Sequence, residues 1–266
     1  MSLPSIDPTH LFDVAGKSAI VVGATGAFGQ VVCATLGKAG AKLIVTAGST
    51  DKLNDLQAEL ESEGITSTSV NKRTNTEADC NAIIEATLKA YGSVDILVIA
   101  SGVNDVDQIV DMSAERFQKV MLANVEGAWL MAKAAGTQMI KQGNGGKVVF
   151  TSSARGKLGH PAGYVAYCTS KSGIDGLTRS LGCEWGKHNI TVNAIAPTVF
   201  RSALTAWMFG DDDHAVKVRT GFLARVPVGR LGEPEDLAGP VLFLCSRASD
   251  FHTGHIMYPD GGYTAG

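Results

Sequence analysis

A tyrosine and a lysine four residues apart, Tyr167 and Lys171, form the pair best suited to acid–base chemistry. Residues i and i+4 lie on one face of a helix, so the phenol and the ammonium would be neighbours. A free tyrosine has too high a pKa to be an efficient base at neutral pH, and a nearby ammonium lowers that pKa by stabilising the phenolate. Such pairs are also common on helix surfaces, so the surrounding residues must decide between the two interpretations.

Two serines precede this helix, at the end of the apolar segment 146–151. This segment is predicted to be a strand, and in parallel α/β sheets the ligand crevice lies at the carboxyl ends of the strands. Strand alternation directs Ser152 and Ser153 to opposite sides. We therefore expect Ser153 to donate a hydrogen bond to a substrate oxygen and to hold it beside Tyr167.

A glycine-rich turn joins the first predicted strand to the first predicted helix. A helix N-terminus offers unpaired N–H groups and a positive dipole end, which suit a pyrophosphate. Gly23 would permit the tight turn, Gly26 the close approach of the phosphates and Gly29 the packing of the helix on the strand. This context predicts a dinucleotide site rather than a merely structural turn, with contacts expected at Gly23, Thr25, Gly26, Ala27, Phe28 and Gly29.

The end of the second predicted strand, where an adenosine ribose would lie, reads Ala47-Gly-Ser-Thr50 and carries no charge. An acid at this point binds the 2′-hydroxyl of NAD, and a base accommodates the 2′-phosphate of NADP. The missing acid removes a repulsion against the phosphate, and Ser49 and Thr50 could donate hydrogen bonds to it. The sequence therefore favours NADP slightly over NAD.

Short apolar segments alternate with longer amphipathic ones along the chain. Strands are predicted at 17–22, 41–46, 65–71, 95–100, 146–151, 190–195 and 254–258, and helices at 28–39, 50–63, 77–91, 113–135 (in two segments), 164–187 and 235–244. This alternation implies a single doubly wound α/β domain over residues 1–266, with a parallel sheet covered on both faces. Residues 202–230 interrupt the pattern. We interpret them as a lid on the substrate side, although their composition fits a solvated surface loop equally well.

The composition limits the classes of function. Hydrophobic residues make up 45% of the chain and charged residues 18%, which supports a sizeable core. A net charge of −3 argues against a nucleic-acid partner. The five cysteines are odd in number and lack C-x-x-C spacing, so neither a disulfide framework nor a metal site is expected. Neither a signal peptide nor a membrane-spanning stretch is recognisable, and we expect a cytoplasmic protein.

These motifs resemble those of the short-chain dehydrogenase/reductase family, in its compact branch, over essentially the whole chain. The glycine turn, Ser153 and the Tyr-x-x-x-Lys pair all match, and Asn124 in Leu-Ala-Asn-Val-Glu-Gly resembles the family's catalytic asparagine. Segments 193–197, 229–236 and 260–262 resemble later family motifs. The resemblance implies a Rossmann fold with a mostly seven-stranded parallel sheet. Similarity is greatest to gluconate 5-dehydrogenase-like and 3-oxoacyl-reductase-like members.

The resemblance also implies NAD(P)-dependent hydride transfer between a nicotinamide and an alcohol or ketone. Tyr167 would be the general acid–base, and Lys171 would hold the nicotinamide ribose and lower the tyrosine pKa. Ser153 would orient the substrate oxygen, and Asn124 would hold a water that links Lys171 to solvent. Further cofactor contacts are implied at Arg73, Thr74, Ala100, Ser101, Gly102, Pro197, Val199 and Ser202.

Several positions depart from the family pattern. The compact branch usually has its second glycine at the position of Ala27, and the spacing seen here is more typical of epimerases and dehydratases. Arg73 replaces an aspartate of the adenine pocket, where it could attract the adenosine phosphate or stack on adenine. The asparagine-rich motif after the fourth strand is absent from 99–102, and Thr198 follows Pro197 in place of a glycine. Two alternatives therefore stay open: a non-catalytic dinucleotide-binding sensor, and an epimerase or dehydratase that retains its cofactor.

The substrate and the assembly are less constrained by the sequence. The resemblance suggests a polyol or a sugar acid, whereas the apolar segment 203–209 favours a hydrophobic secondary alcohol. Family members usually associate through the helices that carry Asn124 and Tyr167, and the last residues, 263–266, are a further candidate contact. We therefore expect a homo-oligomer, and specifically a tetramer.

Overall fold

Seven parallel strands form one sheet in the order β3-β2-β1-β4-β5-β6-β7. The computed structural model describes residues 7–203 and 205–266, so residues 1–6 and Leu204 of the predicted lid lie outside the described residues. The strands are β1 (Ser18–Val22), β2 (Lys42–Thr46), β3 (Ser67–Val70), β4 (Ile96–Ile99), β5 (Gly146–Thr151), β6 (Ile190–Ile195) and β7 (Ile256–Met257). The predicted doubly wound α/β sheet is confirmed.

Helices connect successive strands along most of the described chain. They are α1 (Ala27–Lys38), α2 (Thr50–Ser62), α3 (Glu77–Tyr91), α4 (Ala114–Met121), α5 (Gly127–Gln142), α6 (Ala154–Lys157), α7 (Val165–Trp185), α8 (Asp213–Leu223) and α9 (Glu235–Cys245). None of these helices combines the length and hydropathy that a membrane crossing requires.

Both faces of the sheet are buried, because alternate residues of each strand contact different helices. In β1, Ala19 and Val21 belong to the core beneath α1, α2 and α9. Their neighbours Ile20 and Val22 belong to the core beneath α3, α5 and α7. This double burial explains why the strand sequences are continuous apolar runs rather than alternating ones.

The strand order reverses between β1 and β4, and a crevice opens there at the carboxyl ends of the strands. Gly23 ends β1 with φ at +76°, a conformation that favours glycine. A Cβ atom at Gly23 would lie 2.7 Å from the Cα of Ser101, which follows β4. The two loops that border the crevice are therefore in direct contact.

The structure corrects four of the sequence-based assignments. The region 202–230 contains the helix α8 and a short 3₁₀ turn, Ala206–Phe209, rather than only irregular chain. The helix predicted in two segments at 113–135 corresponds to α4 and α5, which a π turn, Leu122–Glu126, separates, but it ends later than predicted, at Gln142. The last strand has two residues instead of the five predicted at 254–258, and β3 is likewise shorter than predicted.

Candidate active site

Tyr167 and Lys171 lie on the first turns of α7, which starts at the carboxyl end of β5. The Lys171 side chain is only 3% exposed. Its Nζ donates a hydrogen bond to the carbonyl oxygen of Thr151 at 2.6 Å. The same Nζ lies 5.5 Å from the centroid of the Tyr167 ring. The structure thus places the ammonium against both the end of the strand and the phenol ring.

The two serines after β5 point to opposite sides, as strand alternation predicts. Ser152 is buried, and its Oγ donates to a carboxylate oxygen of Asp175 behind the site. Ser153 precedes α6, and its Oγ accepts a hydrogen bond from the backbone N–H of Arg155 at 3.1 Å. A hydrogen bond from Ser153 also lowers the pKa of Tyr167, because it stabilises the phenolate. Ser153 is therefore the serine beside the tyrosine.

Asn124 lies in the π turn and is 3% exposed. Its Oδ1 accepts from the backbone N–H of Val103 at 2.7 Å, and its Nδ2 donates to the Val103 carbonyl at 2.8 Å. Nδ2 also donates to Oγ of Ser170 on α7 at 2.9 Å. The side chain therefore braces the loop after β4 against α7. Since both of its amide hydrogens are engaged, it cannot hold a water by donation.

A glycine after β4 connects these side chains to the crevice. A Cβ atom at Gly102 would lie 3.3 Å from Nζ of Lys171 and 3.5 Å from Oδ1 of Asn124. The backbone at Gly102 therefore lies directly over the catalytic set. A ligand that enters the crevice between β1 and β4 reaches the ammonium and the phenol by passing this backbone.

The glycine turn after β1 has the shape expected of a phosphate cradle. Helix α1 begins at Ala27 with Gly26 as its N-cap, and no side chain caps it. A Cβ atom at Gly29 would lie 2.3 Å from the carbonyl oxygen of Gly23, so only glycine permits this close packing. Uncapped N–H groups at the start of a long helix are suited to an anion. Thr25 and Phe28 lie half-buried in the same turn.

The adenosine end of the crevice is more open. Ser49, Thr50 and Arg73 are all exposed. A Cβ atom at Gly48 would lie 2.2 Å from Nε of Arg73, so the guanidinium group lies against the end of β2. Thr50 accepts a hydrogen bond from Asn71. Within residues 7–203 and 205–266, no carboxylate lies within ion-pair distance of Arg73, and its charge is available to a ligand.

The other predicted cofactor contacts follow the carboxyl ends of β3, β4 and β6. Thr74 is buried, and its carbonyl oxygen would lie 3.0 Å from a Cβ atom at Gly127. The Pro197 carbonyl accepts from the N–H of Ala154, next to Ser153, at 3.0 Å. Ala100 and Ser101 directly follow β4, and Pro197, Val199 and Ser202 lie in the chain after β6.

Comparisons with known proteins agree with this geometry. The model of a protein family described as enoyl-(acyl carrier protein) reductase matches residues 23–264, which is most of the chain. The chain belongs to the short-chain dehydrogenase/reductase family. The predicted family, fold and oxidoreductase class are thereby confirmed.

Several members of the family align with nearly the whole chain. An uncharacterized oxidoreductase of Mycobacterium tuberculosis is 48% identical over 96% of this chain and 93% of its own length. A 2-dehydro-3-deoxy-D-gluconate 5-dehydrogenase of Formosa agariphila is 34% identical over 96% and 95%. A crystal structure of a gluconate 5-dehydrogenase from Burkholderia cenocepacia, in complex with NADP and tartrate, has a TM-score of 0.89 at 25% identity and covers 98% of this chain and 100% of that one.

Burial is the largest influence on the pKa of both members of the acid–base pair in this short-chain dehydrogenase. Burial raises the pKa of Tyr167, and this effect exceeds the lowering by the Ser153 hydrogen bond and by the charge of Arg155. Burial also lowers the pKa of Lys171 to about 8, against the opposing charge of Asp175. Desolvation penalises the charged form of each group, so the lysine alone does not turn the tyrosine into a base.

The sequence analysis did not single out several residues that support the site. Arg116 on α4 pairs with both Asp105 and Asp107 in the loop after β4. The backbone N–H of Asp107 also donates to the carbonyl of Gly163, just before α7, at 3.0 Å. Arg155 follows Ser153 by two residues, and its position beside a predicted catalytic serine was the available signal.

Proposed function

We propose that this short-chain dehydrogenase/reductase uses NADP to interconvert a hydroxyl and a keto group on a small polar substrate of the polyol or sugar-acid kind. Tyr167 is the general acid–base, and Ser153, Lys171 and Asn124 support it. The convergence of these side chains at the carboxyl end of β5, next to the backbone of Gly102, carries the proposal. The buried acid–base set argues against a sensor, which needs no such chemistry.

The crevice fits a dinucleotide, because glycines along its backbone leave space that side chains would otherwise fill. The uncapped start of α1, with Gly26 and Ala27, would hold the pyrophosphate. Gly102 leaves space next to the ammonium of Lys171, which would hold the nicotinamide ribose. When bound, the nicotinamide supplies the acceptor or donor of the hydride. The adjoining edge residues Ala100, Ser101, Pro197, Val199 and Ser202 would line the nicotinamide side.

The protein's own residues manage the proton and the substrate oxygen. In the direction of reduction, Tyr167 gives its proton to the oxygen that becomes the hydroxyl, while Ser153 donates a hydrogen bond to that oxygen. In the direction of oxidation, Tyr167 takes up the hydroxyl proton. Because burial raises the pKa of Tyr167, the residue is protonated at neutral pH and ready to act as an acid. Phenolate formation needs further positive charge, which oxidised nicotinamide carries.

Two features support NADP rather than NAD. The end of β2 offers the hydroxyls of Ser49 and Thr50 and no carboxylate that would repel a 2′-phosphate. The guanidinium of Arg73 lies against Gly48 at this same point. The solved gluconate 5-dehydrogenase from Burkholderia cenocepacia, which shares the fold, is in complex with NADP.

The surface of the helices supports a homo-oligomer, and we propose a tetramer. Leu122 and Trp129 are exposed by 38% and 44%. A mostly apolar groove of about 510 Å³ lies next to Trp129 and α7, lined by Met121, Val125, Glu126, Trp129, Gly173, Gly176 and Leu177. A second copy of the chain would bury this face. Sedimentation that shows only monomer at micromolar concentration would contradict the proposal.

The region 202–230 is proposed as a lid over the substrate. Phe222 of α8 stacks on Tyr263 near the end of the chain, with ring centroids 5.0 Å apart. Met208 is buried, whereas Trp207 remains 48% exposed. The region therefore packs against the substrate side of the domain through a few contacts rather than through the central core.

The first test is a titration of the purified protein with NADPH and NADH, followed by nicotinamide fluorescence, and then turnover of 5-keto-D-gluconate and related ketones. Tight binding of NADPH with weak binding of NADH is the expected result. A preference for NADH would assign the uncharged end of β2 to NAD instead. Binding of neither nucleotide would overturn the proposed function.

A further inference from the structure

The backbone of Arg155 forms a hydrogen bond with Ser153, the serine that faces the substrate oxygen. Its backbone N–H donates to Oγ of Ser153 at 3.1 Å, within the short helix α6. The chain therefore cannot move Ser153 and Arg155 independently. A substrate that the Ser153 hydroxyl orients therefore lies near Arg155.

The guanidinium of Arg155 is held in one orientation by two hydrogen bonds. Nη1 donates to the carbonyl of Gly159 at 3.0 Å, and Nη2 donates to the phenol oxygen of Tyr263 at 3.0 Å. Tyr263 is itself 5% exposed and stacked on Phe222 of α8. A guanidinium has five N–H donors, so donors remain for a ligand. Because the guanidinium is already oriented, little side-chain entropy is lost when it binds a ligand.

The positive charge of Arg155 has no carboxylate partner among the described residues. Arginines at five other positions do pair with carboxylates: Arg116, Arg201, Arg219, Arg230 and Arg247. The guanidinium of Arg155 donates its two hydrogen bonds to neutral oxygens instead. The side chain is only partly buried, so an anion from solvent can reach it.

The field of this charge reaches the catalytic tyrosine. Burial raises the pKa of Tyr167 and of Cys168, and the charge of Arg155 opposes this effect. Burial lowers the pKa of His160, and the charge of Arg155 adds to that lowering. Arg225 lies on the same aromatic group, 4.7 Å from the Tyr263 ring centroid, and has no carboxylate within ion-pair distance in the described chain. Two arginines without a carboxylate partner in the described chain, Arg155 and Arg225, therefore lie on the ring of Tyr263.

We infer that Arg155 binds a carboxylate of the substrate while Ser153 and Tyr167 hold its reacting oxygen. An arginine without a carboxylate partner in the protein can bind a ligand carboxylate through paired N–H donors, which gives orientation as well as affinity. The substrate class is thus a hydroxy or keto acid rather than a neutral polyol or a hydrophobic alcohol. This inference rests on the proposed function and narrows its substrate.

The competing explanation is that Arg155 only fastens the chain end at Tyr263 to α6. A fastening role would make the loss of Arg155 equally harmful for every substrate and would lower the thermal stability. A carboxylate-binding role makes the loss selective. The two explanations are separated by comparing an acidic substrate with a neutral one of similar size.

The experiment compares the wild-type protein with Arg155→Gln, Arg155→Lys and a control, Arg247→Gln. Arg247 is an exposed arginine that lies outside the proposed site. For each protein, kcat/KM is measured for D-gluconate and for the neutral D-glucitol, and the Tm is recorded. Binding of D-gluconate and tartrate to the NADPH complex is measured by calorimetry, which does not depend on turnover.

We expect Arg155→Gln to lower kcat/KM and affinity for the acid by about 10- to 100-fold, and to lower kcat/KM for the neutral polyol by a much smaller factor. Arg155→Lys should recover part of the loss, and the Arg247 control should show none. Equal losses on both substrates, or no calorimetric binding of either carboxylate by the wild-type NADPH complex, would overturn the inference. Failure to bind NADPH would instead overturn the proposed function, so the two failures are distinct.

Discussion

The two ends of the crevice are built in different ways. At the catalytic end, Asn124, Ser153 and Lys171 are buried and hydrogen-bonded within the protein. At the adenosine end, Thr50 and Arg73 are exposed and stand on the rim of the sheet. Buried polar groups must satisfy one another, so the catalytic set tolerates little change. The exposed rim is free to vary, which is consistent with its departures from the family pattern.

The largest effect should come from the catalytic end, through Tyr167→Phe. This change removes one hydroxyl and keeps the ring, so turnover should fall by about 10³-fold because the acid–base group is lost. Affinity for NADPH should stay unchanged, since the crevice is intact. Steady-state kinetics together with fluorescence titration measure both quantities. A variant that keeps its turnover would show that another group moves the proton.

The neighbouring serines provide a matched pair of smaller effects. Ser153→Ala should lower kcat by about 10²-fold, because the donor to the reacting oxygen is lost. Ser152→Ala should leave kcat nearly intact but destabilise the fold by about 1–3 kcal/mol, because the buried carboxyl of Asp175 loses its partner. Kinetics and chemical denaturation separate the two. If Ser152→Ala lowered kcat and Ser153→Ala destabilised the fold instead, the roles assigned to the two serines would have to be exchanged.

The smallest effect should come from the adenosine end, through Arg73→Ala. Loss of this exposed guanidinium should weaken NADPH by about tenfold and leave NADH unaffected. The control is Lys72→Ala, whose charge is already paired with Asp79 at 2.8 Å. Titrations at low and high salt measure both variants. Equal weakening of NADPH and NADH would instead place Arg73 against the adenine ring.

Most of the fold could be predicted from the sequence because burial on both faces leaves a clear pattern. The bounds of β5, β6 and α3 agree with the predicted ones. Helix α8 was missed, although Asp212 caps it by accepting from the N–H of Ala215. Its residues Phe222 and Leu223 pack against a small separate cluster rather than the central core, and no neighbouring strand marks its position in the sequence.

The site could be predicted only where the spacing of residues in the sequence determines which side chains lie together. The four-residue interval of Tyr167 and Lys171 implies one helix face, and strand alternation separates Ser152 from Ser153. The raised pKa of Tyr167 was not predictable, because it depends on burial by elements distant in the sequence. The charge of Arg155 was overlooked for the same reason: its lack of a carboxylate partner is a property of the folded chain.

The π turn at Leu122–Glu126 has a consequence for insertions and deletions. Its closing bond runs from the N–H of Gly127 to the carbonyl of Leu122, five residues back, so the turn holds one residue more than an α-helical turn. Each residue of an α-helix advances the azimuth of its side chain by about 100°. Deleting one residue here would restore a regular helix but would rotate α4 by that angle relative to α5. Asn124 could then no longer face Ser170 while Trp129 kept its outward orientation. The proposed acid–base site and the proposed assembly face therefore depend on the same angle between α4 and α5.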